Sequence, residues 1–174
     1  MARRPFTPED LWALPRVGAP VPAPDGDRLV VPVTTYSIED NRGTTRLWLV
    51  TRDGERPLTS DEVSSSQPAW SPCGRAILFV RMPGGKKRKK GPQHPDQPQL
   101  YRLSLDGGDP ERLTDLRHGV ADPKWLADGR RVAFLSPVGK KGEADGPKAT
   151  ESRFFRMWDR WLTDDVRHHL FLLD

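Results

Sequence analysis

The chain has 174 residues, 35% of them hydrophobic and 30% charged, with a formal net charge of +4. A single cysteine excludes an intrachain disulfide framework, and no run of 18 apolar residues exists to cross a bilayer as a helix. Eighteen prolines and 15 glycines point to many turns, and so to β structure rather than a helical bundle.

The opening "MARRPFTPEDLW" carries charge but no apolar segment, so it does not read as a secretory signal, and the cytoplasm is the expected compartment. Thr7-Pro8-Glu9-Asp10 ahead of Leu11 and Trp12 predicts a short helix: threonine caps, proline suits the first helical position and acids suit the first turn. Pro15 ends it.

A repeat follows. Gly26, Gly74 and Gly129 close turns written "PAPDG", "WSPCG" and "WLADG", separated by 48 and 55 residues. After each turn comes an apolar run, "RLVVPV", "AILFV" and "RVAFL". A further strand follows each, "RLWLV", "LYRLSL" and "HLFLL". Tight turns "RDGE" and "DGGD" lead to "RPLT" and "ERLT", and Trp70 and Trp125 stand 55 apart, as do the two Leu-Thr pairs. Several landmarks on one period define a unit of four short strands joined by hairpins. The apolar runs are continuous rather than alternating, so each strand is expected to be buried on both faces. Pro32 interrupts the first run and predicts a bulge or an early end to pairing there.

These features predict an all-β fold, an incomplete β-propeller of about three four-stranded antiparallel blades with the last one truncated. The expected segments are a helical lead-in over 1–17, a first blade over 18–60, a second over 61–115 and an incomplete third over 116–174. Two insertions separate second from third strands: a basic one over 82–98 and an aromatic, arginine-rich one over 136–168. Three blades do not close a ring, so the chain is expected to be the front part of a longer protein. In isolation its open blade face and edge should favour self-association.

The opening segment "TPEDLWALPRVGAPVPAPDGDRLVV", the repeats "QPAWSPCGRAILFVR" and "PKWLADGRRVAFLS", and "RFFRMWDRWLTDDVRHHLFLLD" together resemble the N-terminal propeller region of prolyl oligopeptidase family serine peptidases. The acylaminoacyl-peptidase and dipeptidyl-peptidase-like branch is the nearest in pattern; the repeats are also similar to those of TolB. The resemblance implies a propeller that restricts substrate access, docks an α/β-hydrolase domain and serves peptide substrates in the full-length enzyme. The departure is decisive for this chain: no Gly-x-Ser-x-Gly occurs, so no catalytic residue is carried over and the chain alone is expected to be inactive. The alternative is a non-enzymatic, TolB-like propeller that binds a partner protein.

Local candidates divide as follows. Lys86 to Lys90 reads as a solvated loop tip rather than a specific nucleic-acid patch, because aromatics for base stacking are lacking nearby. His168 and His169 would point to opposite faces of a strand, so no metal site is expected, and none of the residues implies a cofactor. Cys73 stands where the other repeats carry Asp25 and Asp128, which reads as a turn substitution with an ordinary thiol. Trp70 and Trp125 are expected to fill the gaps between blades. Arg153, Arg156 and Arg160 interleave with aromatics and are candidates for substrate or domain contact. Salt bridges with Glu151, Asp159, Asp164 and Asp165 are the structural alternative.

Overall fold

A computed structural model describes residues 4–82, 97–139, 156–157, 160–161 and 166–174. Helix α1 (Pro8–Ala13) is capped as its sequence dictates. The Thr7 hydroxyl accepts from the Asp10 backbone N–H, the Asp10 carboxylate accepts from the Thr7 N–H at 2.9 Å, and Leu14 turns extended ahead of Pro15.

The first sheet holds β1 (Arg16–Val17), β2 (Val21–Pro22), β3 (Leu29–Ser37), β4 (Arg42–Thr51) and β5 (Gly54–Pro57), with β1 and β2 both lying along β3. The second runs in the order β6 (Ser65–Trp70), β7 (Ala76–Arg81), β8 (Gln99–Ser104), β9 (Glu111–Arg112). The third, among the described residues, has three strands: β10 (Ala121–Trp125), β11 (Val132–Gly139) and β14 (Val166–Leu173). A separate two-stranded ladder joins β12 (Arg156–Met157) to β13 (Arg160–Trp161). All pairings between neighbours are antiparallel.

The sheets stack face to face with the second in the middle, because β6 and β7 meet apolar neighbours on both sides. Every residue of β7 from Ala76 to Val80 is buried. Ile77 and Phe79 pack with Val30, Leu47 and Leu49 of the first sheet, whereas Leu78 packs with Val120, Val132 and Phe134 of the third. A continuous apolar strand is therefore satisfied by two cores, and each fully buried side chain of this kind contributes about 1.5–3 kcal/mol of transfer free energy.

The Leu-Thr pairs finish each sheet. Leu58 and Leu113 extend the fourth strand by donating to the carbonyls of Leu47 and Leu100. The next hydroxyl then takes over from the backbone: Thr59 accepts from the Leu47 N–H at 3.0 Å and Thr114 from the Leu100 N–H at 2.9 Å. Threonine thus supplies an acceptor where the ladder would otherwise leave a buried donor unpaired.

Pro32 does not produce the bulge expected of it. The register from Leu29↔Val50 to Ser37↔Arg42 is unbroken, with Pro32 opposite Leu47. The side of Pro32 that lacks an N–H faces the gap between β1 and β2. Its carbonyl on that side accepts from the Gly18 N–H at 2.8 Å. The missing donor costs nothing there, since the outer strand is itself split. Gly18 suits the same contact: a Cβ on it would stand 3.0 Å from the proline ring, so a larger residue would have to displace that ring.

Candidate functional site

The stack has two unlike ends. At one end lie the Asp-Gly turns, where short polar side chains hold the backbone. The Asp25 carboxylate accepts from the Asp27 N–H at 3.0 Å and from Arg28 Nε at 2.8 Å, and the arginine lowers its pKa. Arg28 Nη2 then reaches across to the second sheet and donates to the Gly74 carbonyl at 2.9 Å. The third sheet carries the same clamp: Asp128 accepts from the backbone N–H groups of Arg130 and Arg131 and from Arg131 Nε at 2.7 Å. These donors hold its pKa at about 2. The only sequence signal for this device was the spacing Asp-x-x-Arg shared by the first and third turns.

Both insertions depart from the opposite end, and Arg81 closes β7 there. Its guanidinium carbon lies 4.8 Å from the Tyr101 ring centroid and 5.2 Å from that of Phe79. Partial burial lowers its pKa. Its Nε is buried without a hydrogen-bond partner, and so is the Oγ of Ser65, its register partner across β6. Among the described residues no carboxylate pairs with Arg81. A ring-stacked guanidinium is a group whose natural counter-ion is a carboxylate. Arg81 was hidden in the sequence as the polar terminus of an apolar strand.

Of the three arginines singled out from the sequence, Arg153 lies outside the described residues. Arg156 and Arg160 fall on β12 and β13, where the register pairs Arg156 with Trp161 and Arg160 with Met157, so the two are not partners across the ladder. Lys86 to Lys90 also lie outside the described residues. His168 and His169 are exposed on successive positions of β14, opposite Pro137 and Ser136. Among the described residues no group of three or more His, Cys, Asp or Glu side chains is placed to hold a metal ion.

The thiol of Cys73 departs from the ordinary one expected. The Ser71 hydroxyl, 3.4 Å from its Sγ, and the backbone N–H of Arg75 lower its pKa. Both contacts are local to the turn and supply no general base. Trp70 fills the gap between the first two sheets and donates its Nε1–H to the Val21 carbonyl at 2.9 Å. Trp125 packs against the core between the second and third sheets, but its Nε1 is buried without a partner.

No family model matches the chain. It is 31% identical over 148 residues to the uncharacterized peptidase YuxL of Bacillus subtilis, covering 84% of this chain and 21% of that protein. The chain therefore spans about a fifth of the length of this curated relative. The fold is similar to the acylaminoacyl peptidase of Pyrococcus horikoshii, with a TM-score of 0.66, 14% identity, and coverage of 92% of this chain and 23% of that one. A putative TolB from Agrobacterium tumefaciens aligns with a TM-score of 0.50 and 25% identity, over 86% of this chain and 43% of that one. The architecture is an incomplete, all-β propeller with TolB-like repeats. Within that class the chain is similar to the propeller region of peptidases of the acylaminoacyl-peptidase kind.

Proposed function

We propose that the chain is the N-terminal propeller portion of a two-domain serine peptidase of the prolyl oligopeptidase family. In this reading the stacked sheets restrict entry to unfolded peptides and dock an α/β-hydrolase domain that carries the chemistry. The observation that carries the reading is the match to a peptidase along 84% of this chain, of which the chain spans only 21%. The insertion end is the side that would face substrate or the catalytic domain. Arg81 presents a ring-stacked cation there that has no carboxylate partner among the described residues, and Arg156 and Arg160 belong to the chain that departs from it. Peptide carboxylates are the complementary ligand. The compartment proposed is the cytoplasm.

The test is to read and express the polypeptide that continues past Asp174. The reading expects a Gly-x-Ser-x-Gly motif between a strand and a helix. It also expects a product that hydrolyses chromogenic peptides, reacts with a fluorophosphonate and leaves folded proteins intact. The 174-residue chain should do none of this. Further Trp-turn repeats without a hydrolase domain would instead support the TolB-like interaction propeller, to which the 25% identity with the Agrobacterium protein lends weight.

A further inference from the structure

The loop that leads from the second sheet to the third is tied down from both sides. Gln99, at the start of β8 and fully buried, holds it through its amide: Oε1 accepts from the Thr114 hydroxyl and the Leu116 N–H, each at 2.9 Å, and Nε2 donates to the Leu116 carbonyl at 2.8 Å. The buried Ser136 hydroxyl on β11 donates to the Gly119 carbonyl at 2.7 Å, and the Val120 N–H donates to the Pro98 carbonyl at 2.9 Å. Between these anchors the loop presents Arg117 and His118 at a cavity of about 280 Å³. Leu116, Pro137, Val138 and Phe171 give it an apolar lining, at the insertion end of the third sheet.

Neither the lining nor the charge is imposed by the fold. Thr59 and Thr114 hold the same place in successive sheets, so Leu116, Arg117 and His118 stand where the preceding loop has Asp61, Glu62 and Val63. One position in the repeat is thus acidic in one copy and basic in the next. Arg167 and His169 stand opposite Val138 and Ser136 across β11 and β14, share a face with them and extend the positive rim. Asp115, the acid nearest to Arg117 in sequence, is paired with Arg112, and among the described residues no salt bridge reaches Arg117. The cavity lies just below the roughly 300–1,000 Å³ of small-molecule pockets, which suits one side chain with its terminal group rather than a length of peptide.

We propose that this cavity takes the C-terminal residue of a peptide, its apolar side chain seated among Leu116, Pro137, Val138 and Phe171 and its free carboxylate bound by Arg117 and His118. The guanidinium offers paired donors to the two carboxylate oxygens, and the imidazole adds a third N–H. The anchored loop keeps both groups in place before the ligand arrives, so little ordering cost is left to binding. An amidated or internal residue brings no charge to the rim, and a polar one leaves the lining unfilled. The site therefore reads chain ends rather than internal sequence. That the ligand is a peptide rests on the peptidase reading; the preference for an apolar carboxylate does not.

The test is a calorimetric titration of the 174-residue chain with acetyl-Gly-Ser-Gly-Ser-Gly-Phe carrying a free C-terminus. A Kd on the order of 100 μM to 1 mM is expected for a site of this size. The same peptide as its C-terminal amide should bind about tenfold more weakly or worse, the size of one charge-assisted hydrogen bond, and so should the acid ending in Ser. Arg117→Ala should weaken the acid about tenfold, and Arg117→Glu and Val138→Glu should abolish binding. Both positions are exposed, so circular dichroism melts should stay like that of wild type. Arg130→Ala, at the Asp-Gly turn of the other end, should bind as wild type does. No binding at about 5 mM peptide, equal binding of acid and amide, or an Arg117→Glu chain that still binds would overturn the proposal. Displacement of the peptide by an equal concentration of a single-stranded oligonucleotide would overturn it too, and assign the rim to nucleic acid. None of these outcomes bears on whether a hydrolase domain follows Asp174, so the two readings fail separately.

Discussion

The first and second sheets meet through both apolar and polar contacts; the second and third meet with the apolar part intact and the cross-links reduced. At the first junction Trp70 donates to Val21, and Arg28 both lies 5.1 Å from the indole centroid and reaches the Gly74 carbonyl. At the second junction Ala76 stands at the position of Arg28 and Cys73 at that of Asp25. Pro72 Cγ, 4.0 Å from where a Cβ would be, is the nearest neighbour of Gly129. The buried Trp125 Nε1 has no partner, and one hydrogen bond, from the Asp122 N–H to Gln67 Oε1 at 2.8 Å, spans the inner strands instead. Apolar burial thus suffices to stack two of these sheets. The polar contacts fix how far and in what orientation they slide, and they vary from one junction to the next.

The comparison can be broken hardest at the cores. Phe79→Ala should cost about 3–5 kcal/mol in a urea titration, since Phe79 is fully buried under Tyr101. Phe134→Ala should fall toward the low end of that range, because its stacking partner Phe171 is half-exposed and can close over the space. Equal losses would mean that the two junctions are packed alike. Next comes the pair of indoles. Trp70→Phe should destabilise by about 2 kcal/mol, leaving the Val21 carbonyl without its donor, while Trp125→Phe should cost under about 1 kcal/mol because an unpaired buried donor is removed. If Trp125→Phe proved the more damaging, its Nε1 would have to be bonded in solution.

A smaller effect is expected from the hook. Arg28→Ala should cost about 1 kcal/mol by thermal melting, and Arg28→Lys should not restore it, because an ammonium cannot hold Asp25 and the Gly74 carbonyl in one plane. The smallest effect lies in acid. Asp25 has a lowered pKa in the fold, so its contribution is complete above the ordinary carboxylate value of about 4 and disappears as pH falls from there through the folded value. Asp25→Asn should flatten the stability–pH profile in that window. Asp128, titrating at about 2, should leave the junction between the second and third sheets unchanged when replaced by Asn, because it clamps Arg131 on the outer face.

The period, the strands and the double-sided burial of β7 were legible because all three are written locally: a continuous apolar run between turn signals needs no knowledge of its neighbours. Pro32 was misread for the opposite reason. Whether a proline breaks a ladder depends on which side its missing donor faces, and that side is set by β1 and β2, whose split is invisible until they are placed. Arg28 and Gly74 are 46 residues apart and meet only through stacking, so the hook left no more than a spacing in the sequence. Arg81 was not legible because nothing local marks a strand-terminal arginine as stacked, whereas in the structure Phe79 and Tyr101 hold it against the sheet. The candidate arginines 156 and 160 were found by composition. The structure adds that they belong to one small ladder, and their role stays with the proposal.

Pro32 has one more consequence. With no donor toward the broken strand and Gly18 pressed against its ring, the inner margin of the first sheet offers an incoming strand no regular row of partners. That margin is therefore a poor template for the addition of a further strand, and the protection comes from the backbone itself rather than from a charged side chain.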